Sequence, residues 1–384
     1  MQFMDLDINV GQLSNFKIFI TKNIESKDGW TQIKPFIIIK LCSSDGLEGW
    51  GEAFSIKYRE KGIAQIIERL IEDISKLESL TIRKFRQRIA EISDNHKSLD
   101  FCAATSAIEI ALWDMSGKIK GLPIYSILSD EPSRPVTYYT TCWSSKNHND
   151  DVIMNRVREL VEYGSKAIKI YPFQNRDFEN SINFVTKVIN LIGPKVRLML
   201  DLAVPSNFTE TKKFMDEISF ANPYWIEEPV DGEDISKLVE LKIDCTSKIV
   251  TGEKQCGINH FNELILRNAA DIFNPDISCV GGLVEMLEIS KIAKTENILI
   301  SPHCWNSMSV SAAAMVHVCS IMTNSDMAEI FIEHIAQSKD YCEPAFKNEN
   351  NKLIPNNSPG LGIKINEESL SDLSDHVFEA MLNE

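Results

Sequence analysis

Residues 196–254 contain three short apolar runs, VRLMLDL (196–202), YWIEEPV (224–230) and KIVTGEK (248–254). Each run carries an acidic residue near its end, and segments with helical spacing such as TETKKFMDEISF (209–220) separate the runs. A short β-rich run followed by a helix, repeated along a chain, is typical of parallel strands joined by right-handed crossovers. The stretch therefore predicts an α/β fold with a parallel sheet.

The same unit continues on both sides of this stretch. Five more runs of this kind are VTYYTTC (136–142), AIKIY (167–171), IFNPDIS (272–278), ILISPH (298–303) and MAEIF (327–331). Eight such strands are what a closed barrel needs. We therefore predict a TIM-like (β/α)7β barrel over residues 131–350.

The remaining chain has a different pattern. Residues 1–130 read as strand hairpins, including KPFIIIKL (34–41), followed by helices, which is the order of an α+β unit. The polar, turn-rich tail at 351–384 contains PGLGIKI (359–365). We expect the tail to return to the N-terminal unit, so that these two parts form one α+β domain beside the barrel.

Titratable residues recur near the ends of the predicted barrel strands. Successive spacings are 26, 26, 23, 27 and 26 residues for Asp201, Glu227, Glu253, Asp276, His303 and Glu329. Each spacing is about one βα unit, so these residues should meet at the mouth of the barrel where active sites lie. Lys169 and Tyr171 are two residues apart on one strand and should share its inner face.

Three of these carboxylates indicate a metal site. Asp201, Glu227 and Glu253 lie on neighbouring predicted strands and offer only oxygen ligands. Hard divalent cations prefer such ligands, and Mg²⁺ is the natural occupant because it keeps positions open for water or substrate oxygens. Surface ion pairing is the alternative for any one of the three, but it does not explain three acids in register. Glu228 should face away from the site.

The bulk composition excludes several classes of function. A formal net charge of −15 opposes binding to nucleic acid and to anionic membrane surfaces. The nine cysteines are scattered and never spaced as Cys-x-x-Cys, which fits a reducing compartment. The first residues lack a signal peptide, and no run of about 18 apolar residues occurs. We therefore predict a cytoplasmic protein without nucleic-acid or membrane partners.

The ordered set of motifs resembles the enolase superfamily and, within it, the mandelate racemase subgroup. Besides the three metal-ligand runs, the resemblance rests on GLEGWGEA (46–53), AIEIALWDMSGKIKGLPIYSIL (107–128), GSKAIKIY (164–171), NPDISCVGG (274–282) and PGLG (359–362). It covers nearly the whole chain. It implies that the α+β domain caps the barrel, and that the protein is a homo-oligomer acting on a small-molecule carboxylic acid.

The resemblance also implies a chemistry and roles for residues. Members remove the proton α to a carboxylate and form an enediolate, using a Lys or His base and Mg²⁺. His303 matches the catalytic histidine, Asp276 its partner, and Lys169 the first lysine of the second strand. Glu329 matches the glutamate that binds the substrate carboxylate, with Glu333 as a weaker rival.

This chain departs from the family pattern at two strand ends. Tyr171 replaces the second lysine, which is normally the base; Lys169 and Mg²⁺ nearby would favour its phenolate, so it is a candidate base, acid or hydrogen-bond donor. Ala203 replaces an asparagine that contacts substrate. In addition, residues 274–282 lack the lysine of the muconate-lactonizing branch, which counts against cycloisomerase and dipeptide epimerase activities.

These observations leave three candidate functions. Dehydration of an aldonate or aldarate to a 2-keto-3-deoxy acid ranks first, a racemase or epimerase of a 2-hydroxy or related acid second, and a non-catalytic relative last. Specificity should lie in the N-terminal loops and around Trp143, which follows the first barrel strand. Lys17, Lys22 and Lys27 are candidates to meet a second substrate carboxylate, although solvated surface charge is the simpler interpretation for most of them.

Overall fold

The N-terminal region folds as an antiparallel sheet covered by helices. The structure is a computed structural model that describes residues 5–94, 96–205, 207–305, 308–343 and 346–382. The elements of this region are β1 (Leu13–Thr21), β2 (Ile24–Glu25), β3 (Gln32–Ile33), β4 (Ile37–Ser43), β5 (Glu48–Ala53), α1 (Glu60–Ile74), α2 (Ile82–Ser93), α3 (Leu99–Lys120) and α4 (Ile124–Leu128).

The central region alternates strands and helices, as the sequence predicts. The strands are β6 (Val136–Cys142), β7 (Ala167–Ile170), β8 (Arg197–Asp201), β9 (Trp225–Glu227), β10 (Lys248–Thr251), β11 (Ile272–Phe273), β12 (Leu299–Ile300) and β13 (Ala328–Ile330). The helices that follow them are α5 (Asp150–Glu162), α6 (Phe178–Ile192), α7 (Phe208–Glu217), α8 (Ile235–Asp244), α9 (Ile258–Leu266), α10 (Leu283–Thr295), α11 (Val310–Ile321) and the short α12 (Ile332–Ser338). A 3₁₀ turn, Ser219–Ala221, precedes β9.

The eight strands close into a barrel. Strands β6 to β12 pair in chain order, and β13 pairs in parallel with β6. Backbone bonds complete the ring between β12 and the approach to β13, from Ile300 N to Asn324 O (2.9 Å) and from Asp326 N to Ile300 O (2.8 Å). The predicted barrel with its α+β companion is therefore confirmed.

Strand alternation sorts the barrel interior into two layers. An apolar cluster fills the lower layer with Tyr139, Ala167, Met199, Trp225, Val250, Ile272 and Met327. Two residues further along their strands come Thr141, Lys169, Asp201, Glu227, Asn274 and Glu329, all buried. Because successive side chains of a strand alternate between its faces, residues two apart point the same way, so the apolar layer forms the floor beneath a polar layer.

The C-terminal tail joins both halves of the molecule. Its elements are β14 (Cys342–Glu343), β15 (Phe346–Glu349), β16 (Lys352–Pro355), β17 (Lys364–Ile365), α13 (Glu367–Asp372) and β18 (Ser374–Met381). Strand β18 extends the N-terminal sheet, whose order is β18-β1-β4-β5. Strand β16 instead pairs with β6 of the barrel, so the segment that we assigned to the tail begins in contact with the barrel.

Two glycines let α3 lie directly on the N-terminal sheet. A Cβ atom on Gly49 would lie 2.3 Å from the Ala111 carbonyl oxygen, and one on Gly51 would lie 1.9 Å from that of Ala107. Both glycines belong to β5, and α3 is buried around most of its surface. The glycines of the GLEGWGEA motif are therefore explained by close packing of backbone against backbone.

A buried carboxylate fastens this sheet to the barrel. Glu52 is fully buried and accepts hydrogen bonds from the Met308 amide at 2.6 Å and the Ser311 amide at 2.7 Å. The Met308 amide lies between β12 and α11 and the Ser311 amide in the first turn of α11, both close in sequence to His303. The Glu52 side chain thus positions part of the barrel mouth from the neighbouring domain.

None of the helices among the described residues is long and apolar enough to cross a membrane.

We expect Gly51→Ala to lower the free energy of unfolding by about 1–3 kcal/mol, because the added methyl group must displace the backbone of α3. Chemical denaturation followed by circular dichroism measures the change. Gly62→Ala is the matched control: Gly62 lies in α1 with open space around it, and its replacement should stabilise the protein by about 0.5–1 kcal/mol. Equal effects of the two substitutions would contradict the packing explanation.

Candidate active site

Three carboxylates converge at the mouth of the barrel. Asp201 and Glu227 end adjacent strands and are direct partners in the β8–β9 register, while Glu253 follows β10 by two residues. One oxygen from each of the three lies within 4.8 Å of the others. Burial and the neighbouring carboxylates raise the pKa of Glu227, although Lys169 opposes them. A bound divalent cation would relieve the repulsion among these three acids, and their all-oxygen donor set suits one.

The polypeptide around these acids fixes their orientation. The Ala203 amide donates to Asp201 at 2.9 Å, and both Trp225 Nε1 and Asn274 Nδ2 donate to Glu227 at 3.1 Å. Glu228 is buried but engaged elsewhere, because its carboxylate accepts from Thr251 at 2.7 Å. It is not part of the three-carboxylate cluster.

Lys169 lies at the centre of the polar layer. Its Nζ is 2.7 Å from Glu227, 2.9 Å from Glu329 and 3.5 Å from Asp201, and the side chain is fully buried. Burial alone would lower the pKa of Lys169, but the charges of Glu227 and Glu329 outweigh it and raise the pKa above its usual value. Lys169 is therefore held as a cation among carboxylates.

Glu329 connects Lys169 to the histidine side of the site. One of its oxygens accepts from Lys169 and from the Thr141 hydroxyl, and the other accepts from the Cys304 amide at 2.9 Å. Burial favours the neutral acid, but the charges of Lys169 and His303 outweigh it and hold the pKa of Glu329 at about 2. Glu329 is consequently an anion in the described structure.

His303 and Asp276 form a hydrogen-bonded pair. Nδ1 of His303 lies 2.7 Å from Asp276, so Nε2 faces the site, 3.4 Å from Glu253 and 3.8 Å from Glu329. Burial disfavours the imidazolium, but Glu253, Glu329 and Asp276 outweigh it and raise the pKa of His303 to about 9. The other Asp276 oxygen accepts from the amide and hydroxyl of Ser278 at 2.9 and 2.5 Å.

Tyr171 lies on the other side of the carboxylate cluster. Its hydroxyl lies close enough to Asp201 for each group to shift the pKa of the other, and its ring centroid is 5.9 Å from Lys169 Nζ. Burial and the Asp201 charge raise the pKa of Tyr171 well above its ordinary value, against the opposing effect of Lys169. The charge of Lys169 alone therefore does not lower the pKa of Tyr171, and Tyr171 remains a candidate base, acid or hydrogen-bond donor.

An aromatic rim surrounds the mouth. The Trp143 and Trp305 rings meet edge to face with centroids 5.5 Å apart, and Lys34 from the N-terminal domain lies over Trp305. The Trp143 carbonyl also accepts from Trp30 Nε1 at 2.7 Å. Trp143 thus lies at the edge of the site and outside the polar layer.

The other substrate-binding candidates lie elsewhere. Glu333 pairs with Arg156 at the surface-facing side of the barrel, which removes it as a rival of Glu329. Lys17 pairs with Glu367, Lys22 donates to the Asp372 carbonyl, and Lys27 pairs with Asp340. These three lysines are engaged with the tail and the end of the barrel, as expected for structural surface charge.

Sequence reasoning missed Asn274, Ser278 and Lys34. Thr141, Asn274 and Ser278 are uncharged polar residues that hold Glu329, Glu227 and Asp276 in place. The one signal available for such residues was position, since each lies near or shortly after the end of a barrel strand. Lys34 carried no comparable signal, because its approach to the barrel depends on how the two domains pack.

Comparison with known proteins identifies related chains over nearly the full length. Residues 153–369 match the family described as enolase C-terminal domain-like. Residues 25–129 match the N-terminal domain of the mandelate racemase / muconate lactonizing enzyme family.

Individual relatives extend these matches. A D-gluconate/D-galactonate dehydratase of Picrophilus torridus is 26% identical, over 91% of this chain and 90% of its own. A D-galactarolactone cycloisomerase of Agrobacterium fabrum is 25% identical, over 88% and 90%. A crystal structure described as an enolase from Sargasso Sea environmental sequencing is 53% identical, covers 97% of this chain and 100% of its own, and superposes with a TM-score of 0.95.

We expect Asp201→Asn to weaken binding of a divalent cation at least about tenfold, since it removes one charged ligand without changing shape. Calorimetric titration with Mg²⁺ and Mn²⁺ measures the affinity. Asp375→Asn, an exposed acid of β18, is the matched control and should bind as the unaltered protein does. Unchanged cation affinity in Asp201→Asn would show that these carboxylates are not the ligands.

Proposed function

Because the chain belongs to the enolase superfamily, with the domains of the mandelate racemase / muconate lactonizing enzyme family, we propose that it is a Mg²⁺-dependent acid-sugar dehydratase. The proposed reaction removes the proton α to the carboxylate of an aldonate or aldarate and then releases the β-hydroxyl group. The product is a 2-keto-3-deoxy acid. The observation that carries the proposal is the juxtaposition of the three-carboxylate cluster with the His303–Asp276 pair.

Asp201, Glu227 and Glu253 would hold Mg²⁺. When bound, the ion supplies stabilisation of the negative charge that develops on the substrate carboxylate as the α-proton leaves. Lys169 adds a fixed positive charge beside the same oxygens, because three carboxylates hold its ammonium in place. Glu329, which lies between Lys169 and His303, would accept a hydrogen bond from the substrate.

Two proton-transfer groups flank the cluster. His303 lies beside Glu253, with Asp276 fixing its Nδ1 so that Nε2 exchanges the proton. Tyr171 lies beside Asp201 on the opposite side. One of these two groups takes the α-proton and the other gives a proton to the departing hydroxyl, so that water leaves and the enol formed tautomerises to the keto acid.

Dehydration is favoured over the alternatives by the two unlike groups and by the relatives. A racemase needs two groups that each work as acid and as base, and Tyr171 opposite His303 is an asymmetric pair. The Picrophilus torridus relative is named a dehydratase of two aldonates. Isomerisation is the second candidate, because the Agrobacterium fabrum relative is named a cycloisomerase of a sugar-acid lactone although this chain has no lysine in residues 274–282.

The test is incubation of the protein with a library of aldonic and aldaric acids and Mg²⁺. We expect a 2-keto-3-deoxy acid from at least one substrate, detected with semicarbazide, and loss of turnover with a chelator. No turnover across the library would refute the proposed dehydratase. Exchange of the α-proton in D₂O with no keto acid formed would favour the isomerase.

His303→Asn and Tyr171→Phe separate the two proton transfers. Each should lower kcat by about 100-fold or more, because each removes a general acid or base. The variant that still exchanges the α-proton with D₂O has lost the acid, and the variant that no longer exchanges it has lost the base. His96→Asn, an exposed histidine of the N-terminal domain, is the control and should retain full activity.

A further inference from the structure

Lys34 of the N-terminal domain reaches over the barrel mouth. It follows β3 directly, is half-buried, and lies in a cage of aromatic rings. Its Nζ is 3.7 Å from the Trp305 ring centroid, 5.2 Å from that of Phe54 and 5.7 Å from that of Phe36. Cations lie favourably over aromatic faces, so the rings fix the ammonium in one position.

The same cage is anchored to the catalytic strands. Trp305 follows His303 by two residues, and the Phe54 amide donates to the Ser278 carbonyl at 3.0 Å, two residues beyond Asp276. Burial lowers the pKa of Lys34 to about 7, and the nearby carboxylates of Asp276, Glu52 and Glu253 oppose that shift. The amino group therefore lies on the histidine side of the mouth, where an anionic ligand would favour its charged form.

A second polar group is available beside Lys34. Ser55 accepts a hydrogen bond from Lys34 through its carbonyl oxygen, and its side chain is fully buried. The Ser55 hydroxyl has no hydrogen-bond partner among the described residues. Buried hydroxyl groups are rarely left unsatisfied, so an unpaired one beside an ordered cation points to a ligand.

We propose that Lys34 and Ser55 bind an anionic group at the far end of the substrate, which makes the chain selective for dicarboxylic sugar acids over monocarboxylic ones. This inference rests on the proposed function, since it places the reacting carboxylate at the three-carboxylate cluster. The second carboxylate would then extend towards the N-terminal domain. An ammonium gains a charge-assisted hydrogen bond from a carboxylate that it does not gain from a terminal hydroxymethyl group.

The charge of the site is consistent with this selectivity. Lys169 and the three carboxylates are already paired with one another in the polar layer, where they would hold a divalent cation. Lys34 is a separate basic group at the mouth of the barrel. Lys17, Lys22 and Lys27 are engaged at other surfaces, whereas Lys34 lies against Trp305 at the mouth.

The test compares an aldaric acid with the aldonic acid of the same configuration, which differ only at the terminal carbon. The unaltered protein should show a higher kcat/KM for the diacid. Lys34→Met should lower kcat/KM for the diacid about 10- to 100-fold, the range of a lost hydrogen bond to a charged group, and change that for the monoacid less than about threefold. Lys34→Arg should restore most of the preference.

Three controls separate this inference from the proposed function. Lys27→Met, a surface lysine of the same domain, should leave both substrates unaffected. If neither acid is turned over, the dehydratase fails, and calorimetric binding of both acids to the Mg²⁺-loaded protein still tests Lys34: the diacid should bind more tightly, and only its affinity should fall in Lys34→Met. Circular dichroism checks that each variant is folded.

An equal loss for both acids in Lys34→Met overturns the inference, whether it is read from kcat/KM or from affinity. A preference of the unaltered protein for the monoacid overturns it as well. Ser55→Ala is an independent test of the proposal, because it removes the Ser55 hydroxyl without changing the charge of the site. This variant should show a lower preference for the diacid.

Discussion

Five carboxylates share the small buried mouth of the barrel, and their mutual repulsion is the constraint on which the site depends. Asp201, Glu227, Glu253, Asp276 and Glu329 are held within reach of one another by the ends of neighbouring strands. Like charges at such distances are tolerated in a dry interior only when cations lie between them. Lys169 offsets one of the five charges, and a divalent cation would offset two more.

The backbone makes this concentration of charge possible. Six of the strands present an apolar residue to the floor and a polar residue two positions later, so a tightly packed apolar layer supports the layer of polar groups. Amides and small polar side chains then restrict each acid: Ala203 for Asp201, Asn274 for Glu227, Ser278 for Asp276. A carboxylate that is already oriented loses little entropy when it takes part in binding, which is the benefit of preorganisation.

Much of this arrangement was predictable from local pattern. The spacing of about 26 residues from Asp201 to Glu329 follows from the length of one βα unit, and strand alternation placed Lys169 beneath Tyr171 on the inner face. What depends on packing between distant segments was not predictable. Lys34 approaches Trp305 only because two domains meet. The pKa of Tyr171 depends on burial and on Asp201, which together raise it more than Lys169 lowers it.

Glu52 couples the two domains and so limits how they can be exchanged. The side chain belongs to one domain, yet its carboxylate accepts hydrogen bonds from two backbone amides of the other, those of Met308 and Ser311. Transplanting a foreign N-terminal domain would remove these bonds and disturb the connection that follows the seventh barrel strand. Recombination of whole domains therefore carries a structural penalty that a point change within the fixed domain pair avoids.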